Sequence, residues 1–521
     1  MKKTIIVLLA LCAYLSTVCA QEEGKYSYFA ESNLVVGGGD YAPFWFVANR
    51  HGTVSSLPQD FSLRMAFFKD FKNQNEQPTF VSGYGWDYAF GLDLIGAFNG
   101  KINSLHQAYV KVKYGPFGVA LGNFETVYGN QDVALSSGGF GWSGNSRPMP
   151  RFDIGITEFT AIPYTKGYVE IKGVFSNGFF ADKDYVLDQN AVFGDYGRRP
   201  AQNPDSTPKQ NPDGAFIWNP AYPAGTPLSY GYTYNTLLHH KNLYIRLGGK
   251  LPVNFTTGIE HYVIWAGKNS KGAKLPVNLK EYWQIVQGYM PAEKSNVELM
   301  DAANRYGEHS GQWNNRLDVK LNNYTVSAYW QYFIDDASFK KFENISDGLW
   351  GFLIRSNEKQ AVTGILFEFL NTTNQSGPVH IWNDKVEIGG NDDYYNNSLF
   401  TSGWTYFGQT IGTPLISSQF YNKNGELQLP NNRVKAYHFG IDGYVTQNLI
   451  YRSLWTYSQN YGRHYFPFPE KRGNLSFLLE SALKLKKWEG FELKAAVGGD
   501  FGKMYGDNFG VMLGIRKSGV F

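Results

Sequence analysis

The chain has almost no cysteine. Its 521 residues include two, Cys12 and Cys19, and both lie in the first 20 positions. A positively charged start, an apolar stretch and a small-residue site before Gln21 predict that residues 1–20 are a cleaved secretory signal peptide. Residues 21–521 then have no thiol for a disulfide or a thiolate metal site, so backbone ladders and packing must hold the exported protein together.

The sequence also lacks long hydrophobic runs and strong charge. No run of about 20 apolar residues follows the signal, which excludes a helical membrane protein. Charged residues make up 18% of the chain and the net charge is +3, too little to predict nucleic-acid binding. Aromatic residues make up 17%, and there are 57 glycines. This combination is typical of a transmembrane β-barrel, whose lipid face uses only alternate residues.

Apolar and polar residues alternate along many segments. For example, Leu317 and Val319 alternate with Asp318 and Lys320. This period of two indicates β-strands, and it assigns Val319 to lipid and Lys320 to the lumen. A soluble sandwich gives the same alternation, but the lengths of the connections argue against it.

About 18 such segments occur, with 16 as the alternative count. They start near 25–36, 61–69, 84–97, 105–114, 116–122, 152–161, 166–176, 240–248, 254–263, 313–322, 323–334, 346–356, 361–371, 433–445, 447–457, 473–485, 490–500 and 508–516. Tight links mostly follow the even-numbered segments, and long ones follow the odd-numbered segments at 37–60, 123–151, 177–239, 264–312, 372–432 and 458–472. The prediction is an all-β, transmembrane antiparallel β-barrel over 21–521 in the outer membrane of a Gram-negative bacterium, with long extracellular loops and short periplasmic turns.

The last segment is apolar at Phe509 and Ile515 and ends on Phe521. In a closed barrel it pairs with the first strand, so its edge is not free. The terminal aromatic predicts a signal for the barrel-insertion machinery. Inward positions carry both signs of charge, which indicates a wet or plugged lumen. They are Lys111, Lys113, Glu170, Lys172, Arg246, Arg316, Asp318, Lys320, Glu480, Lys484, Glu492 and Lys494.

Several stretches go beyond a generic barrel. They are YAPFWFVANRHGTVS (41–55), QAYVKVKYGPFGVALGN (107–123), KGVFSNGFF (172–180), LLHHKNLYIRLGG (237–249), GIEHYVIWAG (258–267), GWTYFGQTIGTPL (403–415), YHFGIDGYV (437–445) and YSQNYG (457–462). In order and spacing they resemble the capsule assembly Wzi family. The resemblance implies an 18-stranded outer-membrane barrel and a surface lectin that holds capsular polysaccharide. Well-studied members also carry an N-terminal helical bundle that plugs the periplasmic end, and residues 21–40 are too few for it.

The sequence gives little support for an enzymatic activity. The chain contains no HExxH, GxSxG or CxxC motif. Some outer-membrane barrels are lipid hydrolases with a Ser–His dyad, but nothing pairs a serine with His240, His261 or His438. The acidic stretch NDDYYNN (391–397) lacks the spaced ligands of an EF-hand-type calcium site and predicts a solvated turn. We therefore expect no enzyme activity, no cofactor and no metal.

The long loops are the expected binding region because they are rich in Trp, Tyr, Asn and Gly. Aromatic rings stack on sugar faces, and a guanidinium can bind a uronic acid carboxylate bidentately. The predicted glycan-binding residues are Arg50, Trp142, Trp218, Trp382, Trp404 and Tyr406. The alternative places these aromatics in the membrane interface belt or in loop packing, with Arg50 as an internal tether of the first long loop.

The leading functional prediction is a non-enzymatic surface protein that binds or helps assemble polysaccharide. A porin or saccharide-uptake channel is the first alternative, in which the long loops fold inward and constrict the lumen. A structural subunit of a larger outer-membrane complex is the second. The predicted partners are surface polysaccharide, outer-membrane lipid and lipopolysaccharide, the insertion machinery and other outer-membrane proteins, with no nucleic acid.

Overall fold

A computed structural model gives the fold. The residues that it describes are 26–72, 85–99, 103–192, 201, 203, 209, 211–212, 217, 220, 232–270, 272–288, 306–335, 342–379, 381–383, 386–422 and 427–521. The predicted signal peptide and Trp218 lie outside these residues.

Eighteen antiparallel strands form one closed sheet. They are β1 (Tyr26–Gly38), β2 (Gln59–Lys69), β3 (Trp86–Ala97), β4 (Asn103–Tyr114), β5 (Phe117–Asn123), β6 (Pro150–Ala161), β7 (Val169–Phe179), β8 (Leu237–Leu247), β9 (Val253–Trp265), β10 (Glu308–Lys320), β11 (Tyr324–Ile334), β12 (Gly348–Ser356), β13 (Gly364–Asn371), β14 (Val434–Thr446), β15 (Leu449–Gly462), β16 (Pro467–Lys484), β17 (Phe491–Gly502) and β18 (Asn508–Val520). The predicted count of 18 is confirmed.

The first and last strands close the sheet. β1 pairs with β18 from Ser27 opposite Val520 to Gly38 opposite Phe509. The apolar C-terminal strand is therefore bonded on both sides, to β17 and to β1. Closure satisfies every ladder position that an open edge would leave to lipid, where an unpaired amide has no water to bond.

The connections differ between the two ends of the barrel. At one end, called the short-turn end, most are short, namely 115–116, 162–168, 248–252, 321–323, 357–363, 447–448 and 485–490, and 70–85 is the longer exception. At the other, called the long-loop end, they include 39–58, 124–149, 180–236, 266–307, 335–347 and 372–433. In outer-membrane barrels the long loops face the cell exterior.

The prediction of a long loop at 458–472 is wrong. β15 runs on to Gly462 and β16 already begins at Pro467, so a tight turn joins them. Gly462 has φ 78°, a conformation that glycine adopts without strain. Proline is tolerated at the first residue of a strand because that position needs no amide donor. The sequence pattern of turn residues therefore hides an extended hairpin.

The two faces of the wall follow the predicted alternation. On β10, Leu317 is exposed on the outside, whereas Arg316 and Asp318 bond each other and Ser327 on the inside. Exposed aromatic residues form two girdles, as expected where a barrel crosses the membrane interfaces. Trp86, Tyr88, Tyr114, Phe117, Tyr168, Tyr324 and Trp488 lie at the short-turn end, and Phe152, Phe179, Tyr437, Tyr457, Phe501 and Phe509 at the long-loop end.

Helices are few. They are α1 (Phe44–Val47), α2 (Lys183–Val192) and α3 (Leu279–Gln287), with a 3-10 turn at Gln419–Tyr421. Short two-stranded antiparallel sheets pair Thr233–Tyr234 with Lys268–Asn269, Ile381–Asn383 with Val386–Gly389 and Thr405–Tyr406 with Gln409–Thr410. In the part of the chain that the structure describes, no helix has the length and apolarity needed to cross a membrane.

Candidate functional site: the plugged lumen and its outer mouth

Three long loops turn back into the barrel. We call the segments 39–58, 124–149 and the described part of 390–433 the plug. The first of them carries α1, whose four side chains are buried. The backbone N–H of Phe44 donates to the inward-facing carboxylate of Asp500 on β17, at 2.9 Å. The first loop is thus bound to the inner wall.

The second plug segment reaches almost through the lumen. Asp132 accepts hydrogen bonds from the Arg355 guanidinium, with Oδ1 2.8 Å from Nη2. Arg355 also binds Asp442, at 2.6 Å. Arg355 lies beside Ser356, the last residue of β12 at the short-turn end. The loop therefore enters at the long-loop end and is tied to the wall near the opposite end.

A buried carboxylate fixes the middle of the same segment. Glu368 on β13 is fully buried and faces inward. It accepts hydrogen bonds from Ser136 Oγ at 2.7 Å, from Ser137 N at 2.7 Å, from Ser137 Oγ at 2.6 Å and from the Tyr329 hydroxyl. A buried charge needs such partners, so Glu368 holds the loop in one position.

The third plug segment packs on the second. Trp404 Nε1 donates to the carbonyl of Gly141 at 2.6 Å, and the Tyr395 hydroxyl donates to the carbonyl of Phe140. The ring of Phe140 stacks on Phe333 of β11 with centroids 4.2 Å apart. The main hydrophobic core of the protein therefore lies inside the barrel, between the plug and the wall.

One cluster in the lumen has metal-ligating residue types. The ligand atoms of Asp93, His106 and Glu125 all lie within 4.8 Å of one another. Arg64 already binds both carboxylates, at 2.5 Å and 2.7 Å. Burial alone would raise the pKa of Glu125, but the His106 hydrogen bond and the nearby His51 and Arg64 outweigh it and hold this pKa well below its usual range. The cluster is a satisfied ion-pair network that ties the plug to β2, β3 and β4.

The acidic stretch 391–397 is also used internally. Asp393 forms a buried salt bridge with Arg463 and accepts from Asn432 Nδ2 at 2.7 Å. Asp392 accepts from Ser376 Oγ at 2.7 Å. The solvated turn expected for this stretch is therefore wrong: these side chains are buried plug contacts.

The structure brings two of the predicted glycan-binding tryptophans together. Trp142 and Trp404 are both buried and meet edge to face, with centroids 6.3 Å apart. Tyr406 is also buried, against Phe180 and Phe407. Protein groups cover these rings, as the loop-packing alternative expects. Glycan contact by these residues stays a prediction that their burial does not support.

The other predicted residues are placed differently. Arg50 forms a salt bridge with Glu480 on β16, which Arg452 also binds, so Arg50 tethers the first loop to the wall. Trp218 lies outside the described residues. Trp382 lies in the short strand Ile381–Asn383, but its side chain is outside the described part.

Three arginines at the long-loop end are bonded differently from most other arginines of the barrel. Arginines that pair with carboxylates include Arg50, Arg64, Arg316, Arg355 and Arg452 in the lumen and Arg463 at the long-loop end. Within the described ranges, Arg147, Arg433 and Arg472 form no ion pair. Arg472 lies 3.9 Å from the ring centroid of Phe468, and Arg147 lies 4.1 Å from that of Phe407.

Sequence reasoning missed this arginine set, which we call the mouth arginines. Each directly precedes or lies close to the long-loop end of a strand: Arg147 before β6, Arg433 before β14 and Arg472 near the start of β16. That position was readable from the strand prediction. Their lack of a salt bridge within the described ranges was not, because it depends on contacts between segments distant in sequence.

The three histidines weighed as dyad members have other partners. His438 bonds Thr456 Oγ1 at 2.7 Å and the carbonyl of Leu135 at 2.6 Å. His240 is buried and stacked on Tyr262, with centroids 4.6 Å apart. His261 lies 2.9 Å from His309, on the outer wall. These contacts position loops and strands and give no Ser–His geometry at His438 or His240.

Comparison with solved structures supports the fold. The chain is similar to Wzi, an outer-membrane protein involved in group 1 capsule assembly in Escherichia coli and described as a carbohydrate-binding β-barrel, with TM-score 0.51 and 11% identity over 98% of this chain and 87% of that one. It is also similar to OprD of Pseudomonas aeruginosa, with TM-score 0.43 and 9% identity over 96% and 94% of the chains. OccK3 of Pseudomonas aeruginosa gives 0.43 and 7% over 96% of each chain.

No family profile matches the chain, and no curated protein sequence matches it. At these identities the likeness to solved structures concerns the fold alone. The closed sheet, the two aromatic girdles and the apolar outer face then give the location. The chain is an 18-stranded barrel of the Gram-negative outer membrane.

Proposed function

We propose that this barrel is a non-enzymatic surface protein that binds acidic polysaccharide outside the cell. The observation that carries the proposal is the ion pair between Asp132 and Arg355. This ion pair shows that the second plug segment, which enters at the long-loop end, is bound to the wall near the short-turn end. A barrel filled in this way offers its outer surface to ligands and not a pathway through its centre.

The plug argues against the porin alternative. An open channel of this strand number has a water-filled lumen. Here the plug is held by its hydrogen bonds to Glu368, by the ion pair with Arg355 and by a continuous apolar core around Phe140 and Trp404. Moving the plug aside would break the hydrogen bonds of Glu368 with Ser136 and Ser137 and expose the apolar core to water. These contacts support a closed resting state.

The mouth arginines support an acidic ligand. A guanidinium matches a carboxylate or phosphate bidentately, and Arg433 and Arg472 form no salt bridge among the described residues. Arg433 Nε donates to the carbonyl of Thr373 at 3.2 Å. Arg472 stacks on Phe468, and Tyr465 is exposed in the adjoining turn. Sugar rings bind to such aromatic surfaces through their C–H faces. The similar structure described as a carbohydrate-binding barrel is consistent with this chemistry.

Two sequence-predicted residues whose side chains lie outside the described part remain in the proposal. Trp218 and Trp382 belong to the loops at 180–236 and 372–433, which start from the long-loop end. We propose that these two tryptophans add stacking contacts to the charge of the mouth arginines. Retention or assembly of capsular polysaccharide at the surface would then follow from binding. A structural subunit of a larger complex stays the remaining alternative.

Binding to purified protein tests the proposal. Wild type and the variants Arg433→Ala, Arg472→Ala, Trp218→Ala and Trp382→Ala are compared on a uronic-acid-containing polysaccharide and on neutral dextran. We expect preference for the acidic polymer, weakened by salt and weakened at least threefold by Arg472→Ala. The matched control is Lys359→Ala, a cation in the 357–363 turn at the opposite end. Equal loss in Lys359→Ala, or no preference for the acidic polymer, would contradict the proposal.

Conductance in planar bilayers separates the channel alternative. The closed lumen predicts wild-type protein that inserts without stable conductance. A wide and stable conductance would favour the uptake channel and overturn the plugged resting state. Heat-modifiable migration on gels confirms in each case that the barrel is folded.

A further inference from the structure

Helix α3 packs on the outside of the barrel. Its residues Ile285 and Val286 are buried, and Ile285 lies in a cluster with Val263 and Trp265 of β9. Tyr262, between these two wall residues, faces the lumen and is fully buried there. Because neighbouring side chains on a strand point to opposite faces, Val263 and Trp265 point outward. The helix therefore covers the outer wall.

Specific contacts fix the helix in this position. The Tyr282 hydroxyl donates to Asn177 Oδ1 at 3.3 Å, and Lys241 Nζ donates to the carbonyl of Val286. Asn278 caps the N-terminus by accepting from Glu281 N at 3.0 Å. At the other end Gly288 has φ 64°, a left-handed conformation that terminates the helix. The helix is anchored to three neighbouring strands, β7, β8 and β9.

The apolar surface of α3 is wider than the part that the wall covers. Successive helix residues advance by about 100°, so Leu279 and Trp283 project next to Val286. Leu279 is 81% exposed and Trp283 57% exposed, and Val277 just before the helix is 61% exposed. Lys280 and Gln287 lie further round, on the side away from the wall. Three large apolar residues thus remain uncovered beside the wall.

The exposed apolar surface of the wall begins next to the residues that the helix covers. On the side of the helix towards the short-turn end, Ile259 follows His261 as the next outward residue of β9. On β8, Leu243 follows Lys241 in the same way, and both Ile259 and Leu243 are exposed. These positions belong to the apolar belt that faces the acyl chains. The helix lies at the long-loop border of that belt, where tryptophan is favoured in membrane proteins because its ring suits the interface.

Part of the wall beneath the helix is polar. His239, His261 and His309 come together there from β8, β9 and β10, with His261 Nε2 2.9 Å from His309 Nδ1 and the rings of His239 and His261 6.3 Å apart. These outward positions would otherwise face lipid, which is unfavourable for imidazole nitrogens. The Tyr282 ring packs on His239 with centroids 6.1 Å apart. The helix therefore separates this histidine cluster from the membrane.

We propose that α3 is an interfacial anchor whose exposed residues Val277, Leu279 and Trp283 insert among the acyl chains of the outer leaflet. The occupant of the strip is lipid, because the helix lies against the outer wall at the border of the apolar belt and the strip is bordered by polar side chains on its far side. The anchor fixes how deeply this side of the barrel sits in the membrane. It is a membrane contact separate from the proposed glycan site.

Nitroxide accessibility tests the anchor directly. Residues 21–521 contain no cysteine, so single-cysteine variants need no background substitutions. Leu279→Cys and Trp283→Cys carry the label in bilayers with a lipopolysaccharide outer leaflet. Ile259→Cys is the lipid reference, and Lys359→Cys is the aqueous reference. We expect the α3 labels to collide with oxygen as Ile259→Cys does, and at least fivefold less with a nickel chelate than Lys359→Cys. Accessibility equal to Lys359→Cys would overturn the proposal.

A charge substitution checks the same surface without a label. Leu279→Glu with Trp283→Glu should speed hydrogen exchange of 279–287 at least tenfold in bilayers, with the barrel still heat-modifiable. Lys280→Glu, on the far side of the same helix, should leave exchange within twofold of wild type. Equal exchange in all three proteins would show that lipid does not hold the helix, and the anchor would be wrong.

Discussion

The two faces of β13 have opposite chemistry and opposite exposure. On the inward face Leu366 and Glu368 are fully buried, although one of them is charged. On the outward face Ile365 is 38% exposed and Phe367 is 49% exposed. A soluble sheet would bury the phenylalanine and hydrate the glutamate. Here the plug covers the polar face, and lipid covers the apolar one.

This difference shows what each face requires. The outward face needs only apolar surface, because the acyl chains adapt to it. The inward face needs matched partners, because Glu368 must find donors once water is excluded. Ser136 and Ser137 provide them from a segment more than 200 positions away in the sequence. The seating of the plug in the lumen therefore depends on a few specific polar contacts. The insertion of the outer face into lipid needs no such specific contacts.

The largest expected effect comes from removing the inner partner. Glu368→Ala leaves the Ser136, Ser137 and Tyr329 donors without their acceptor, at about 1–3 kcal/mol for each group that stays buried. We expect the plug to leave its seat, giving measurable conductance in planar bilayers and protease cleavage within 124–149.

The control is Glu492→Ala, an inward carboxylate near the short-turn end of β17. It should leave the lumen silent, because no plug segment bonds it among the described residues. Conductance in Glu492→Ala, or no conductance in folded Glu368→Ala, would show that the hydrogen bonds to Glu368 do not hold the plug.

The outward face is tested by charge at two depths. Phe367 lies in the middle of β13, so Phe367→Arg should cost about 2–4 kcal/mol, the range for a charge near the bilayer midplane. Val319 faces lipid too, but it lies next to Lys320, the last residue of β10. Val319→Arg should therefore cost only about 0–1 kcal/mol. Reversible unfolding in lipid vesicles measures both, and equal losses would contradict the assigned depths.

Much of the wall could be predicted from the sequence. Alternation such as Leu317 and Val319 against Asp318 and Lys320 places strands and faces, because a side-chain period of two is local. The prediction of a long loop at 458–472 failed because Pro467 and Gly473 are residue types typical of loops, although β16 begins at that proline. Extended hairpins beyond the membrane belt have no lipid face and so lose the alternation that reveals a strand.

The plug could not be predicted in the same way. Long loops with Trp142 and Trp404 indicate aromatic content, but whether such loops point outward or inward depends on distant contacts such as Asp132 with Arg355. The same holds for the cluster of His239, His261 and His309, which alternation cannot assemble from three strands. Residue types indicate what a group can bond, and only the fold decides what it meets.

A pH change sharpens the contrast between plug and wall. Burial raises the pKa of Asp182 to about 6, against the weaker opposing effects of the Phe407 N–H bond and Arg147. The folded state thus holds this proton more tightly than the unfolded chain, whose aspartate pKa is about 3.9. The stabilisation is complete below about pH 4 and is lost as the pH rises through 6, on the order of 2 kcal/mol.

Hydrogen exchange over 400–411 reads this effect, because Phe407 N lies 3.5 Å from Asp182 Oδ2. Exchange should be slower at pH 5 than at pH 7.5 after correction for the intrinsic rate. Asp182→Asn should remove the difference and slow exchange at pH 7.5. Strand amides of β13 serve as the internal control, and a parallel change there would assign the effect to the whole barrel.

The smallest expected effect concerns the outer mouth, which neither the plug nor the lipid covers. Arg472 lies 3.9 Å from the Phe468 ring centroid, and a cation–π contact at an exposed site is worth about 0.5–1 kcal/mol. Phe468→Leu keeps an apolar side chain but removes the ring. We expect binding of the acidic polysaccharide to weaken about two- to fivefold, with Phe468→Tyr close to wild type. If Phe468→Leu binds as wild type while Arg472→Ala does not, the guanidinium acts without ring support.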